Sequence, residues 1–190
     1  LVREFRMNSK SSQKFAVTPW LFRETTMPER YLLIPKTSSE RRAFFPLGFV
    51  ENSIATNSAL YLDGGSLYHF GILSSTMHNA WMRAVAGRLE SRYRYSAAIV
   101  YNNFPWPSPI PEQKAAIEKT AQAILDAREL YPDSSLADLY DEVLMPKELR
   151  EAHRANDRAV MRAYGFPIKM TEADCVAALM QMYEQLTAGK

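Results

Sequence analysis

At 190 residues, 47% of them apolar, the chain has enough material to bury a packed core as one large domain or two small ones. Its single cysteine, Cys175, excludes a disulfide framework, and the absence of any run of about 18 apolar residues argues against a helical membrane span. The formal net charge of +2 hides an asymmetry: residues 1–107 carry 13 Lys and Arg against 7 Asp and Glu, whereas residues 108–190 carry 10 against 14, as expected when only the first half faces a polyanion.

Residues 1–30 are basic and irregular, with Pro19 and Pro28 interrupting any long periodic element and a short helix indicated near Val2–Met7. Tyr31–Ile34 is a compact apolar strand closed by Pro35, and the polar loop from Lys36 to Arg42 follows it. Ala43–Val50 reads as a second strand with Pro46 at an edge or bulge, and Ala59–Leu62 as a third, ended by Asp63-Gly64-Gly65. Between them Asn52, Asn57 and Ser58 are side chains that read adenine edges, bind phosphate or simply make turns. Leu67–Leu73 is read as a helical turn running into the next helix.

That next helix is the centre of the chain. Met77, Ala80, Trp81, Ala84 and Val85 recur with helical spacing, Ser74, Ser75 or Thr76 offers a cap, and Gly87 offers a stop. Immediately beyond lie Arg88, Glu90, Arg92 and Arg94, interleaved with Tyr93 and Tyr95, before an apolar run Ala97–Tyr101 that reads as a strand. The charged run has two readings. One is a solvated surface; the other is base recognition, in which arginine pairs with guanine O6 and N7 while a carboxylate accepts from cytosine N4, so that Glu90 and Arg92 together read one C·G pair.

Pro105, Pro107, Pro109 and Pro111 form a stiff connector and the best domain boundary. Helices follow over Glu112–Leu130, with Ala116, Ile117, Ala121, Ile124 and Leu125 as the apolar stripe, over part of residues 134–146, over Lys147–Tyr164 to a stop at Gly165, and over Thr171–Thr187, where Thr171 and Asp174 fit a capping box. Cys175 sits in an apolar helical pattern that buries it. The fold class is α+β: a mixed first domain with a small sheet and a central helix, residues 1–107, then an all-α bundle, residues 108–190.

His69, His78 and His153 are isolated, no Cys/His cluster has metal-ligand spacing, and neither a glycine-rich phosphate loop nor G-x-S-x-G is present. Leu1 is not an initiator methionine and no signal-peptide pattern follows it, so a segment of a longer cytoplasmic polypeptide is expected.

Three phrases carry a resemblance: YLLIPKTSSERRAFFPLGF, SLYHFGILSSTMHNAWMRAVAGRLESRYRYSAAIVYNNFPWP and PEQKAAIEKTAQAILDARELYPDSSLADLYD. Over residues 2–183 the chain resembles the C-terminal part of the MmeI-like family, single-chain adenine-specific DNA methyltransferases and restriction-modification enzymes. The Pro-Glu-Gln helix opening at Pro111 also resembles specificity subunits of type I restriction systems. The resemblance implies a target recognition domain followed by a helical C-terminal domain, with double-stranded DNA as partner. It implies that Glu90 and Arg92 form a Glu-x-Arg pair reading one base pair where relatives carry Lys-x-Asp, and that Lys36, Asn57 and Ser58 are further recognition positions. Arg41, Arg42, Arg83, Arg88 and Arg94 are candidates for contacts to the DNA backbone.

In such proteins the S-adenosylmethionine site, the catalytic Asn/Asp-Pro-Pro-aromatic motif and, in some members, a nuclease domain lie upstream. The nearest local phrase, Asn102-Asn103-Phe104-Pro105-Trp106, has the wrong order for that motif, so no catalytic residue, cofactor or metal is expected in this chain. An alternative of another class is a docking module of a multi-domain nucleic-acid enzyme whose acidic helices bind partner subunits. An RNA-binding module stacking bases on Tyr93, Tyr95 and Trp106 lacks any RNP-type phrase.

Overall fold

The computed structural model describes residues 1–21 and 27–188, and its first sheet is built on Arg30–Pro35 (β1), whose Tyr31, Leu32 and Ile34 are buried. Antiparallel Gly48–Glu51 (β3) and Ala59–Asp63 (β4) flank it, in register Leu32↔Phe49 and Leu32↔Leu62. The expected strand Ala43–Val50 is thus only half a strand. Pro46 has no N–H for the ladder, so pairing starts at Gly48, while Phe44, Phe45 and Leu47 turn into the core instead.

The second sheet holds Thr37–Ser38 (β2), Gly87–Leu89 (β5) and Arg92–Arg94 (β6) in the antiparallel order β2-β6-β5. Lys36 links the two sheets, its N–H donating to the Ser58 carbonyl at 2.9 Å and its carbonyl accepting from Tyr95 N–H at 2.8 Å.

Val2–Met7 (α1) forms as expected and buries none of its residues; Arg6 holds the segment after it, donating to the carbonyls of Phe15, Thr18 and Leu21 at 2.8, 2.9 and 2.6 Å. Leu67–Leu73 (α2) and Thr76–Val85 (α3) follow β4. Ser75 is the cap of α3, its Oγ accepting from His78 N–H at 3.3 Å, and Asp157 Oδ1 takes the Thr76 N–H at 2.7 Å from another helix. Rather than one apolar face, α3 buries every residue from Met77 to Met82, including His78 and Asn79, whereas Ala84 is exposed. Its end is Ala86 in extended conformation, not a left-handed Gly87, so the chain runs straight into β5.

Ala97–Tyr101, expected as a strand, is a π-helical turn closed by Asn102 N–H to the Ala97 carbonyl at 2.9 Å. Trp81 explains the departure from propensity: its indole N–H donates to the Val100 carbonyl at 3.0 Å, a bond that fastens the turn to the central helix.

The C-terminal helices are Pro111–Glu129 (α4), Leu136–Leu139 (α5), Lys147–Tyr164 (α6) and Glu172–Thr187 (α7). In α4 the buried stripe is Ile117, Ala121, Ile124 and Ala127, and Ala116 is exposed. The stretch around α5 is shorter than its periodicity suggests because the Asp141 carboxylate takes the N–H of Val143 at 2.9 Å, an Asx turn that ends the helix. Gly165 (φ 71) and the Thr171/Asp174 box end α6 and start α7 as expected.

One buried cluster runs from Leu32 through Trp81 and Ile117 to Leu179 and so spans the proline connector. At its centre α2 lies so close to α4 that a Cβ on Gly71 would stand 2.7 Å from Ile117 Cγ2. Asn156 completes the joint, its Nδ2 donating to the Gly71 carbonyl at 2.7 Å and its Oδ1 accepting from Thr120 at 3.1 Å. Arg128 of α4 crosses in the same way, with Nη1 donating to the Leu47 carbonyl at 2.8 Å and Nε to the Tyr140 hydroxyl at 3.0 Å.

Candidate nucleic-acid interface

Leu89 pairs with Arg92, so β5 and β6 are joined by only two residues, Glu90 and Ser91. Glu90 has φ 57, a left-handed value usually left to glycine or asparagine in such turns. The carboxylate is therefore carried on a backbone that costs free energy to hold, a feature concentrated at functional sites. Arg92 Nη2 donates to Glu90 Oε2 at 2.7 Å, with the two side chains 48% and 77% exposed. A pair this exposed contributes less than about 1 kcal/mol, so its donors and acceptor are available for exchange with a ligand.

Strand alternation sorts the neighbouring arginines onto two faces. Arg92 and Arg94 stand opposite Leu89 and Gly87 on the outer face, where Thr37 of β2 is the other partner of Arg94. Tyr93 points the other way into the core, beside buried Ser38. Arg88 is the cross-strand partner of Tyr93 and shares its face: the guanidinium lies 3.9 Å from the Tyr93 ring centroid, donates to the Ser91 carbonyl at 2.9 Å and stands 3.7 Å from Glu40. The hairpin is rooted by Tyr95, whose hydroxyl is 2.9 Å from His78 Nε2 beneath it. Burial pushes the His78 imidazole down to about 3, so this contact joins neutral groups.

Two loops meet the hairpin. Residues 39–42 line a groove of about 340 Å³ together with Ser91, so Arg41 and Arg42 lie beside the turn, with Asp141 and Glu142 at the far rim. On the other side Lys36, Asn57 and Ser58 come together: Lys36 Nζ donates to the Asn57 carbonyl at 2.7 Å, and Thr56 and Ser58 share a hydroxyl hydrogen bond of 2.6 Å. Lys36, Thr56, Asn57 and Tyr61 line a second groove of about 330 Å³.

Arg83 is not part of this assembly. It makes a two-pronged contact to Glu172, Nε to Oε1 at 2.6 Å and Nη2 to Oε2 at 2.8 Å, and joins α3 to the start of α7. Its charge is already matched by a carboxylate. Thr37 and Ser91 were not singled out from the sequence, and Tyr93 and Tyr95, weighed there as base-stacking rings, are buried and root the hairpin instead. The alternation in Gly87-Arg-Leu-Glu-Ser-Arg-Tyr-Arg carries the hairpin signal, but residues 90–91 hold no glycine or asparagine to mark the turn.

Chemically the assembly offers planar donors, the Glu90 carboxylate and amide and hydroxyl groups on an exposed surface, the set needed for base edges and phosphates, with Glu40, Asp141 and Glu142 lining the groove beside it. No group of three or more His, Cys, Asp or Glu among the described residues is placed to hold a metal ion, and no described helix is long and apolar enough to cross a membrane.

Comparison with known proteins assigns both halves. Residues 1–108 match the family described as MmeI, target recognition domain, and residues 110–189 match MmeI, C-terminal domain. DNA methyltransferase A of Bacillus subtilis (strain 168) is 38% identical over 184 residues, 96% of this chain and 21% of the relative. Among solved structures, the type IIL restriction-modification enzyme MmeI in complex with DNA matches with a TM-score of 0.91 at 50% identity, over 98% of this chain and 26% of that one. The chain thus spans about a quarter or less of the relatives it matches.

Proposed function

The chain belongs to the MmeI family, and from that premise we propose that residues 1–107 choose the DNA sequence on which a site-specific adenine-N6 methyltransferase acts, while residues 108–190 brace them. The carrying observation is the exposed Glu90–Arg92 pair at the tip of a hairpin rooted in the core. The hairpin presents both groups to one nucleotide pair in the major groove. Arg92 engages guanine O6 and N7 through its fork, and Glu90 accepts from cytosine N4. Because the two side chains already share a hydrogen bond, they enter the groove pre-paired. Lys36, Asn57 and Ser58 read further positions, and Arg41, Arg42 and Arg94, which have no ion-pair partner among the described residues, contact phosphates.

The parent enzyme transfers a methyl group to adenine in the cytoplasm, with the base extruded from the stack, and holds S-adenosylmethionine and any nuclease activity in upstream domains. The residues present here do not suit that cofactor, since every strand pairing among the described residues is antiparallel and the Gly64-Gly65 turn from β4 into α2 lacks the G-x-G-x-x-G pattern of a dinucleotide loop.

Exchanging Glu90→Lys and Arg92→Asp in the full-length parent tests this reading. Reversing donor and acceptor should invert the preferred orientation of one base pair in the modified site, with about 1–3 kcal/mol of discrimination behind the change. Sequencing of methylated DNA reads the outcome, and an unchanged site would rule the assignment out.

A further inference from the structure

We propose that Arg88 is a positioning residue for base recognition: from its place over the Tyr93 ring it fixes the turn that carries Glu90, and it does not contact phosphate. The inference rests on the recognition reading above and names a further residue on which that recognition depends.

Three contacts converge on the one guanidinium. It lies against the Tyr93 ring, which is itself in the core, so its plane is set by a group that does not move with the turn. From there Nη1 reaches across and donates to the carbonyl of Ser91, the second of the two turn residues. Glu40, on the loop that follows β2, balances the charge from the third side at 3.7 Å. The peptide unit following Ser91 is thereby tied to the core, and Glu90, immediately before it, is kept in its left-handed conformation (φ 57). Without that tie a two-residue turn with no glycine or asparagine has a lower-energy alternative available, in which the carboxylate and Arg92 no longer lie together.

Parity separates Arg88 from its neighbours. Arg92 and Arg94 share the outer face, and Arg88 stands on the face of Tyr93 and Ser38. Arg88 is half-exposed, as Arg92 is, but its guanidinium is spread over the Tyr93 ring and turned to the Ser91 carbonyl instead of standing outward beside Arg92.

The experiment uses the full-length parent with Arg88→Ala and Arg88→Gln. Glutamine is neutral but keeps a donor for the Ser91 carbonyl. Relative methylation rates on duplexes varied one base pair at a time give discrimination at each position, and binding at several salt concentrations gives the salt slope. Arg88→Ala should lower discrimination about tenfold at the pair read by Glu90 and Arg92 and by less than about twofold elsewhere, with an unchanged salt slope. Arg88→Gln should restore most of the discrimination, also at unchanged slope. If alanine prevents folding, the glutamine variant decides alone. A uniform loss over all sequences with the salt slope smaller by about one unit in either soluble variant would make Arg88 a phosphate contact and overturn the proposal, as would full discrimination in Arg88→Ala. The Glu90/Arg92 exchange separates the two ideas: an unchanged target there removes base reading itself, whatever Arg88 does.

Discussion

The carboxylate of Glu172, the first residue of α7, receives both prongs of the Arg83 guanidinium and so ties the last helix to the central one. The cation sits where α7 offers both an acidic side chain and a half-exposed surface. It is a tie between helices.

Arg83→Ala is therefore expected to lower the stability of the chain by about 1 kcal/mol, through the lost charge-assisted pair and the stem contacts of the arginine. Urea unfolding measures this. DNA binding by the full-length parent should keep its salt slope, and a drop of about one unit would identify a phosphate contact instead.

Asp157 governs the pH response of the same region. Its carboxyl is pushed up to about 6 by burial, against the opposing pull of the Thr76 N–H and of Arg158. The native state then holds a proton that the unfolded chain releases between about pH 4 and 6, so this group's stabilisation falls as pH rises through that window. His78 and His153 act with the opposite sign. Burial pushes both down to about 3, so their contribution is complete above about pH 6.5 and is lost on acidification toward pH 3. Removing the carboxyl by Asp157→Asn should steepen the loss of stability below pH 6 by up to about 1.4 kcal/mol per pH unit. Urea midpoints at about pH 4.5, 5.5 and 7 test it, and a profile parallel to the wild type would mean that Asp157 titrates alike in both states.

Glu90→Gly should separate folding from recognition. Relief of the left-handed strain, roughly 1–2 kcal/mol, is offset by about 0.5–1 kcal/mol of added freedom in the unfolded chain, so stability should stay level or rise by up to about 1.5 kcal/mol. Target discrimination at one position should collapse. A melting temperature several degrees lower would show that the contact with Arg92 outweighs the strain.

Local chemistry made the helical half legible in the sequence: Pro111, Gly165 and the Thr171/Asp174 pair act within one turn of themselves, and the structure uses all of them. Elements set by distant partners were not legible. Ala97–Tyr101 has the β-branched and aromatic content of a strand, yet Trp81, 19 residues from Val100, binds its carbonyl in a π turn. Gly87 looked like a helix stop and is the first residue of a strand that exists only because β6 lies beside it, with β2 on the far side of β6. At the candidate site the charges of Glu90 and Arg92 were visible, whereas the contact of Lys36 with Asn57, 21 residues away, was not. The commitments of Arg83 and Arg88 were not, because a bare count of cations cannot show which already have a carboxylate, a ring or a carbonyl.

None of Glu90, Arg92, Lys36, Asn57 or Ser58 belongs to the buried cluster that holds the fold together. On the reading proposed above, the target can therefore be rewritten by the paired Glu90/Arg92 exchange at the hairpin tip while every side chain that holds the scaffold together stays as it is.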